Sequence, residues 1–219
     1  MINKSSFFIN IYKKSTKKKF TKIFRNNSFL GRESKSGEGS GLSQTTVIRQ
    51  EIPKLLKELR VKSLIDAPCG DLYWLKEIEL PVEKYIGIDI VEELIDQNKK
   101  KYVNQQQSFM TIDIIEDEIP KADIILCRDC LVHLSFKQCI KVIKNFKKSG
   151  AIYVLTTTFT ERLKNNDLGR GFWRTLNLEI PPFNFPRPIK IINENCSEYD
   201  GEYSDKSLGL WLLKDIHFD

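Results

Sequence analysis

No apolar run in this chain approaches the ~20 residues that cross a bilayer, so the sequence does not predict an integral membrane protein. A secretory leader is equally hard to find: Phe7-Phe8-Ile9 is cut by Asn10 and followed by lysines, without an apolar core or a small-residue cleavage site. The five cysteines, Cys69, Cys127, Cys130, Cys139 and Cys196, are odd in number and scattered, which argues for a reduced cytoplasmic protein over a disulfide framework. Cys127-Arg-Asp-Cys130 has the spacing of a redox or zinc pair, but zinc needs a second pair and only His133 stands near, so no metal is expected. Internal repeats are lacking, and glycine is sparse at 11 of 219 residues.

What is present is enough apolar residue, 41%, for one packed domain. The net charge of +6 is unevenly spread. Residues 1–35 carry ten Lys/Arg against the single acid Glu33, a net +9, which leaves −3 for residues 36–219. The chain therefore divides into a basic arm, 1–35, and a mildly acidic domain, 36–219. Phe8, Ile9, Tyr12, Phe20, Ile23 and Phe24 fit one helical stripe interleaved with lysines. Two readings of this arm stand: contact with an acidic membrane surface or partner, and packing on the domain or partial disorder. Ser36 to Gly41 is a glycine-rich hinge, followed by a helix over 43–59 that Pro53 is expected to interrupt.

From Ser63 onward, short β-rich runs alternate with helical stretches. Strands are expected at 63–66, 85–89, 109–112, 123–127 and 152–156, with two more at 189–192 and 208–213; helices are expected at 72–78, 91–102 and 135–146. This rhythm predicts an α/β fold, a doubly wound, mostly parallel seven-stranded sheet with helices on both faces. The aperiodic, aromatic-rich stretch from Phe159 to Pro188 is long enough to read as a functional loop.

The strongest local signal is Leu64-Ile-Asp66-Ala-Pro-Cys69-Gly70-Asp71, a buried strand that ends in an acid and a tight turn. In a doubly wound sheet the first such turn is where an adenosine-type cofactor docks. Asp89 closes the second strand, where a carboxylate accepts two hydrogen bonds from vicinal ribose hydroxyls. Asp113 follows the third strand, placed to receive an exocyclic amine, with Ile90 and Ile114 as apolar neighbours for a purine. One such acid is often only a helix cap; three on successive strands are harder to dismiss.

With these residues the sequence resembles the class I S-adenosylmethionine-dependent methyltransferases, over roughly residues 36–214. In that family the first turn reads Asp/Glu-x-Gly-x-Gly-x-Gly. Asp66 and Gly70 match it, while Pro68 and Leu72 stand where the first and last glycines would be. That glycine pattern suits a nicotinamide dinucleotide poorly, because its pyrophosphate needs close backbone approach at several glycines. The resemblance implies a Rossmann-like fold and S-adenosylmethionine as cofactor. Asp66 and Gly70 would hold its amino-acid end, with Cys69 in the same turn, Asp89 the ribose and Asp113 with Ile114 the adenine, and Arg128 would lie beside the cofactor at the end of strand four. It further implies that Gly37–Gly41 and the next helix close over the methionine moiety.

At the mouth of strand four, Cys127-Arg128-Asp129-Cys130-Leu-Val-His133 holds one of the two histidines in the chain. His133 can take the proton of a hydroxyl or ammonium acceptor, oriented by Asp129, or can simply pack under the loop. Further on, Arg170, Trp173, Arg174 and Asn177 can hold an anionic or sugar-like acceptor, with Arg170 and Arg174 on one helical face. Arginine stacked on tryptophan to fasten a loop is the alternative. The expected activity is methyl transfer to oxygen or nitrogen of a small-molecule or glycan-linked acceptor. The rivals are a nucleic-acid methyltransferase using the basic arm, a non-catalytic module of the same fold, and a nicotinamide-dependent oxidoreductase.

Overall fold

The computed structural model describes residues 16–169 and 173–218. The first described element, α1, is helical over residues 16–25. It is followed by α2 (Thr46–Glu58), β1 (Ser63–Asp66), β2 (Lys84–Asp89), α3 (Glu92–Tyr102), β3 (Gln107–Thr111), β4 (Ile124–Cys127), α4 (Phe136–Lys148), β5 (Tyr153–Phe159), β6 (Lys190–Asn193) and β7 (Lys206–Leu212). The seven strands form one sheet in the order β3-β2-β1-β4-β5-β7-β6. Five strands run parallel, and β7 is antiparallel to both neighbours. The expected sheet is thus observed, and its order reverses between β1 and β4, where a crevice opens at the strand ends.

Alternation along the strands builds two cores. Leu64, Ile124, Leu126 and Leu155 pack with Ile48, Ile52, Leu55 and Leu56 of α2 on one face. Ile65, Ile125, Cys127 and Val154 pack with Cys139, Val142, Ile143 and Phe146 of α4 on the other. The start of α4 is fixed by a capping box, in which the Gln138 amide donates to Ser135 Oγ and the Ser135 amide donates to Gln138 Oε1.

Two local expectations are corrected. α2 runs unbroken through Pro53, because its buried face is held against the sheet. Packing thereby outweighs the roughly 3 kcal/mol that an internal proline costs a helix. The stretch expected as a helix over 72–78 is only a 3-10 turn, Leu75–Glu77. The arm, too, does not stand apart from the domain where the structure describes it. Ile23 and Phe24 are buried, Phe24 packs on Val91 and Leu94, and Lys17 and Arg25 pair with Glu92 and Glu93 at the start of α3. Residues 1–15, with Phe8, Ile9 and Tyr12, lie outside the described residues. Among the described residues, no helix is long and apolar enough to cross a membrane.

Candidate active site

β1 ends at Asp66 and the chain turns sharply through Gly70, whose φ of +54° is left-handed. A β-carbon there would also meet the Ser36 hydroxyl, which would have to move, so glycine is favoured on both counts. Leu72, at the place of the expected last glycine, keeps a left-handed φ of +56° and is buried. The turn therefore retains a glycine-like backbone at a cost of about 1–2 kcal/mol. Asp71 ties the turn to the segment before α2: its carboxylate accepts from Ser34 Oγ at 2.8 Å and from the Lys35 amide at 2.9 Å.

Three acids meet in the crevice that this turn borders. Asp66, Asp89 and Asp113 are all buried and all line one cleft. Asp66 accepts from the Tyr85 hydroxyl at 2.9 Å. Burial lifts its carboxyl to about 7, against the opposing pull of that hydrogen bond. Asp89 accepts from the Val91 amide at 2.9 Å and the Gly70 amide at 3.3 Å. Burial raises it to about 6, with those amides holding it down. Asp113 accepts from the Ile115 amide at 3.0 Å. Ile90 and Ile114 line the same cleft, as do Cys69 and Gly70.

This donor and acceptor set fits S-adenosylmethionine. Asp89 lines the cleft while its oxygens accept from backbone amides, and a carboxylate has lone pairs enough to accept from ribose hydroxyls as well. Phe20, Ile23 and Phe24 of α1 line the cleft from outside, so part of the basic arm is its cover.

The end of β4 carries a buried charge cluster. Arg128 Nε and Nη2 donate to the two Glu194 oxygens at 3.1 and 2.6 Å, and Nη2 also donates to the Gly39 carbonyl at 2.7 Å. The glycine-rich hinge is thereby pinned at the mouth of the cleft. Lys206 Nζ lies 2.7 Å from Asp129 Oδ2 and 3.6 Å from Glu194. Burial opposes the Asp129 charge, but Lys206 and Arg128 outweigh it and hold the carboxyl at about 2. The His133 ring packs on Phe29 with centroids 4.9 Å apart.

His133 and Asp129 line the cleft of the three acids and also a second one, which reaches outward to Trp173, Tyr199 and Tyr203. The expected site residues are therefore brought together in part. Trp173 stands on the second cleft. Arg174 and Asn177 do not. Arg174 donates to the Leu131 carbonyl at 2.6 Å and to that of Leu134, closing the 3-10 turn that carries His133. Asn177 Nδ2 donates to the Arg162 carbonyl at 3.0 Å, while its own amide donates to Asn165 Oδ1 at 2.9 Å. Both residues fasten the loop, and residues 173–177 are not helical. Arg170 lies outside the described residues.

Sequence reasoning missed Glu194, Lys206, Tyr85 and Tyr203. A lysine in the otherwise apolar run Lys206-Ser-Leu-Gly-Leu-Trp-Leu212 was the one available signal, since a buried lysine needs a counter-ion. All five cysteines are free and buried, and among the described residues no cluster of three metal-ligating groups forms.

A family model described as a methyltransferase domain matches residues 43–191. No curated protein matches the chain. Among solved structures, the methyltransferase domain of bacterial CtHen1-C has a TM-score of 0.56 at 16% identity, covering 78% of this chain and 98% of that one. Human N-acetylserotonin methyltransferase, solved with S-adenosylmethionine, gives a TM-score of 0.44 at 18% identity over 52% of this chain. The match spans only 34% of the human chain. The N-methyltransferase NodS from Bradyrhizobium japonicum gives a TM-score of 0.43 at 19% identity, over 54% of this chain and 65% of that one. With the family match spanning most of the domain and the fold shared with CtHen1-C, the chain belongs to the methyltransferase-domain family and is an S-adenosylmethionine-dependent enzyme of class I.

Proposed function

We propose that the enzyme methylates oxygen or nitrogen of a small-molecule or glycan-linked acceptor, with His133 as the base. The observation that carries this reading is the position of His133 and Asp129, which border both the cleft of the three acids and the second cleft. Bound S-adenosylmethionine supplies a methyl group made electrophilic by its sulfonium. The chain then has two tasks, to align the acceptor with that methyl and to take its proton.

Asp66 and Gly70 would hold the amino-acid end of the cofactor, Asp89 the ribose, and Asp113 with Ile114 the adenine. Arg128 acts at one remove. Its protein partners Glu194 and Gly39 fix the hinge that borders the cleft. His133 would receive the acceptor proton, and the Asp129 carboxylate, kept ionised by Lys206, favours the imidazolium so formed. Packing against Phe29 holds the ring in place. A cytoplasmic location, with the lysines of residues 1–15 touching an acidic membrane surface, belongs to the same proposal.

Replacement of His133 tests it. His133→Ala is expected to keep S-adenosylhomocysteine affinity within about threefold and to lose at least ~100-fold in turnover of any identified acceptor, the usual scale for a lost general base. Full turnover in this variant contradicts the assignment.

A further inference from the structure

We infer that the second cleft takes a cationic amine and that the transfer is N-methylation, an inference that rests on the methyl-transfer reading above. Its outer wall is aromatic. Trp173 and Tyr203 meet edge to face with centroids 4.9 Å apart, and Tyr199 meets Tyr203 at 5.5 Å. Tyr199 is 74% exposed and Trp173 37%, so these rings fill no core. The backbone holds Tyr199 and Asp200 in the left-handed region, φ +51° and +54°, an unfavourable arrangement that keeps the Tyr199 ring out at the rim.

The charge around this wall is negative. Among the described lining residues the cations are Arg32 and Lys206, and each has a carboxylate partner, Glu38 at 3.8 Å and Asp129 at 2.7 Å. Glu33 and Glu198 remain as further acids. Behind the wall, Arg162 sits over Tyr203 at 5.8 Å, but it is paired twice with Asp205, at 3.0 and 2.7 Å. Among the described residues, an anionic acceptor would meet these carboxylates and only cations that already have carboxylate partners. A neutral sugar gains ring contact alone. An ammonium gains both the carboxylates and the faces of the rings, the combination by which aromatic cages hold cations.

The chemistry balances on groups already described. The ammonium R–NH3+ gives a proton to the His133 ring and becomes R–NH2. The nitrogen lone pair then forms the new N–C bond to the methyl group as the carbon–sulfur bond breaks, its electron pair returning to sulfur. The products are R–NH2+–CH3 and S-adenosylhomocysteine. The product is still a cation, so the same wall holds it.

The test uses the full chain saturated with S-adenosylhomocysteine, whose binding is first established by calorimetry. Tetramethylammonium is titrated while Trp173 fluorescence is followed against a Trp173→Phe background. Its neutral isostere 2,2-dimethylpropan-1-ol and the anion pivalate serve as comparisons. Tetramethylammonium is expected to bind at least tenfold more tightly than the alcohol, with no saturable binding of pivalate. Glu198→Gln and the exposed Tyr199→Ala should each weaken it severalfold without changing S-adenosylhomocysteine affinity. Equal binding of the alcohol, or tighter binding of pivalate, overturns the inference while leaving the methyl-transfer reading intact. Absence of S-adenosylhomocysteine binding overturns that reading and this inference with it.

Discussion

The ammonium of Lys206 lies 2.7 Å from the carboxylate of Asp129, joining the start of β7 to the end of β4 beside the cleft. Lys206 is 5% exposed, and burial alone would lower its pKa, yet Asp129 and Glu194 leave it raised. The pair belongs to a buried group of two cations and two anions with Arg128 and Glu194. Such a group tolerates loss of one member badly, because the remaining charge stays buried without its partner.

Lys206→Met is accordingly expected to destabilise the fold by about 3 kcal/mol, read from urea denaturation at pH 7. The pH dependence identifies the cause. Asp129 sits at about 2 in the fold, below the ~3.9 of an unfolded aspartate. Its contribution is therefore complete above pH ~4 and is lost as pH falls from there toward 2. The wild-type protein should show that acid limb and Lys206→Met should show much less of it.

Asp66 has the opposite sign. Its folded carboxyl, near 7, holds a proton that the unfolded chain has released from ~4 upward, so the ligand-free fold loses stability as pH rises through that window. Asp66→Asn retains an acceptor for the Tyr85 hydroxyl and removes the buried charge. The variant should be more stable than wild type at pH 8 by about 2 kcal/mol, and no more stable at pH 4. Its S-adenosylhomocysteine affinity should fall at least tenfold. A variant that is less stable at pH 8 contradicts the description of Asp66 as a strained functional acid.

The cover of the cleft gives a third prediction. Phe24 packs on Val91 and Leu94 and lines the cleft, so Phe24→Ala should weaken S-adenosylhomocysteine binding about tenfold, measured by calorimetry. Removal of residues 1–15 should leave that affinity unchanged while reducing co-sedimentation with anionic vesicles. Unchanged co-sedimentation removes the membrane proposal and leaves the cover intact.

The sequence made the sheet legible because its information is local. Ser63–Asp66, Lys84–Asp89 and Ile124–Cys127 are apolar runs stopped by an acid or a turn, and the three acids proposed to hold the cofactor stand at fixed places on that rhythm. The acceptor side was not legible, because its residues come from distant segments without a period. Arg174 has the composition of an acceptor ligand, but its guanidinium is taken by the carbonyls of Leu131 and Leu134. Tyr199 and Tyr203 lie in a stretch without a period, and only the fold sets Tyr203 beside Trp173 and Tyr199 beside Tyr203. The +9 of the arm was read as a whole, whereas Lys17 and Arg25 are engaged by Glu92 and Glu93 of the domain itself.

The proposed function depends on the crevice between β1 and β4 holding S-adenosylmethionine through Asp66, Asp89 and Asp113. Calorimetric titration of the full chain with S-adenosylhomocysteine tests it most directly. One-to-one binding that Asp89→Asn weakens at least tenfold, with no heat from a nicotinamide dinucleotide, is the predicted result. Heat from the dinucleotide and none from S-adenosylhomocysteine would contradict it.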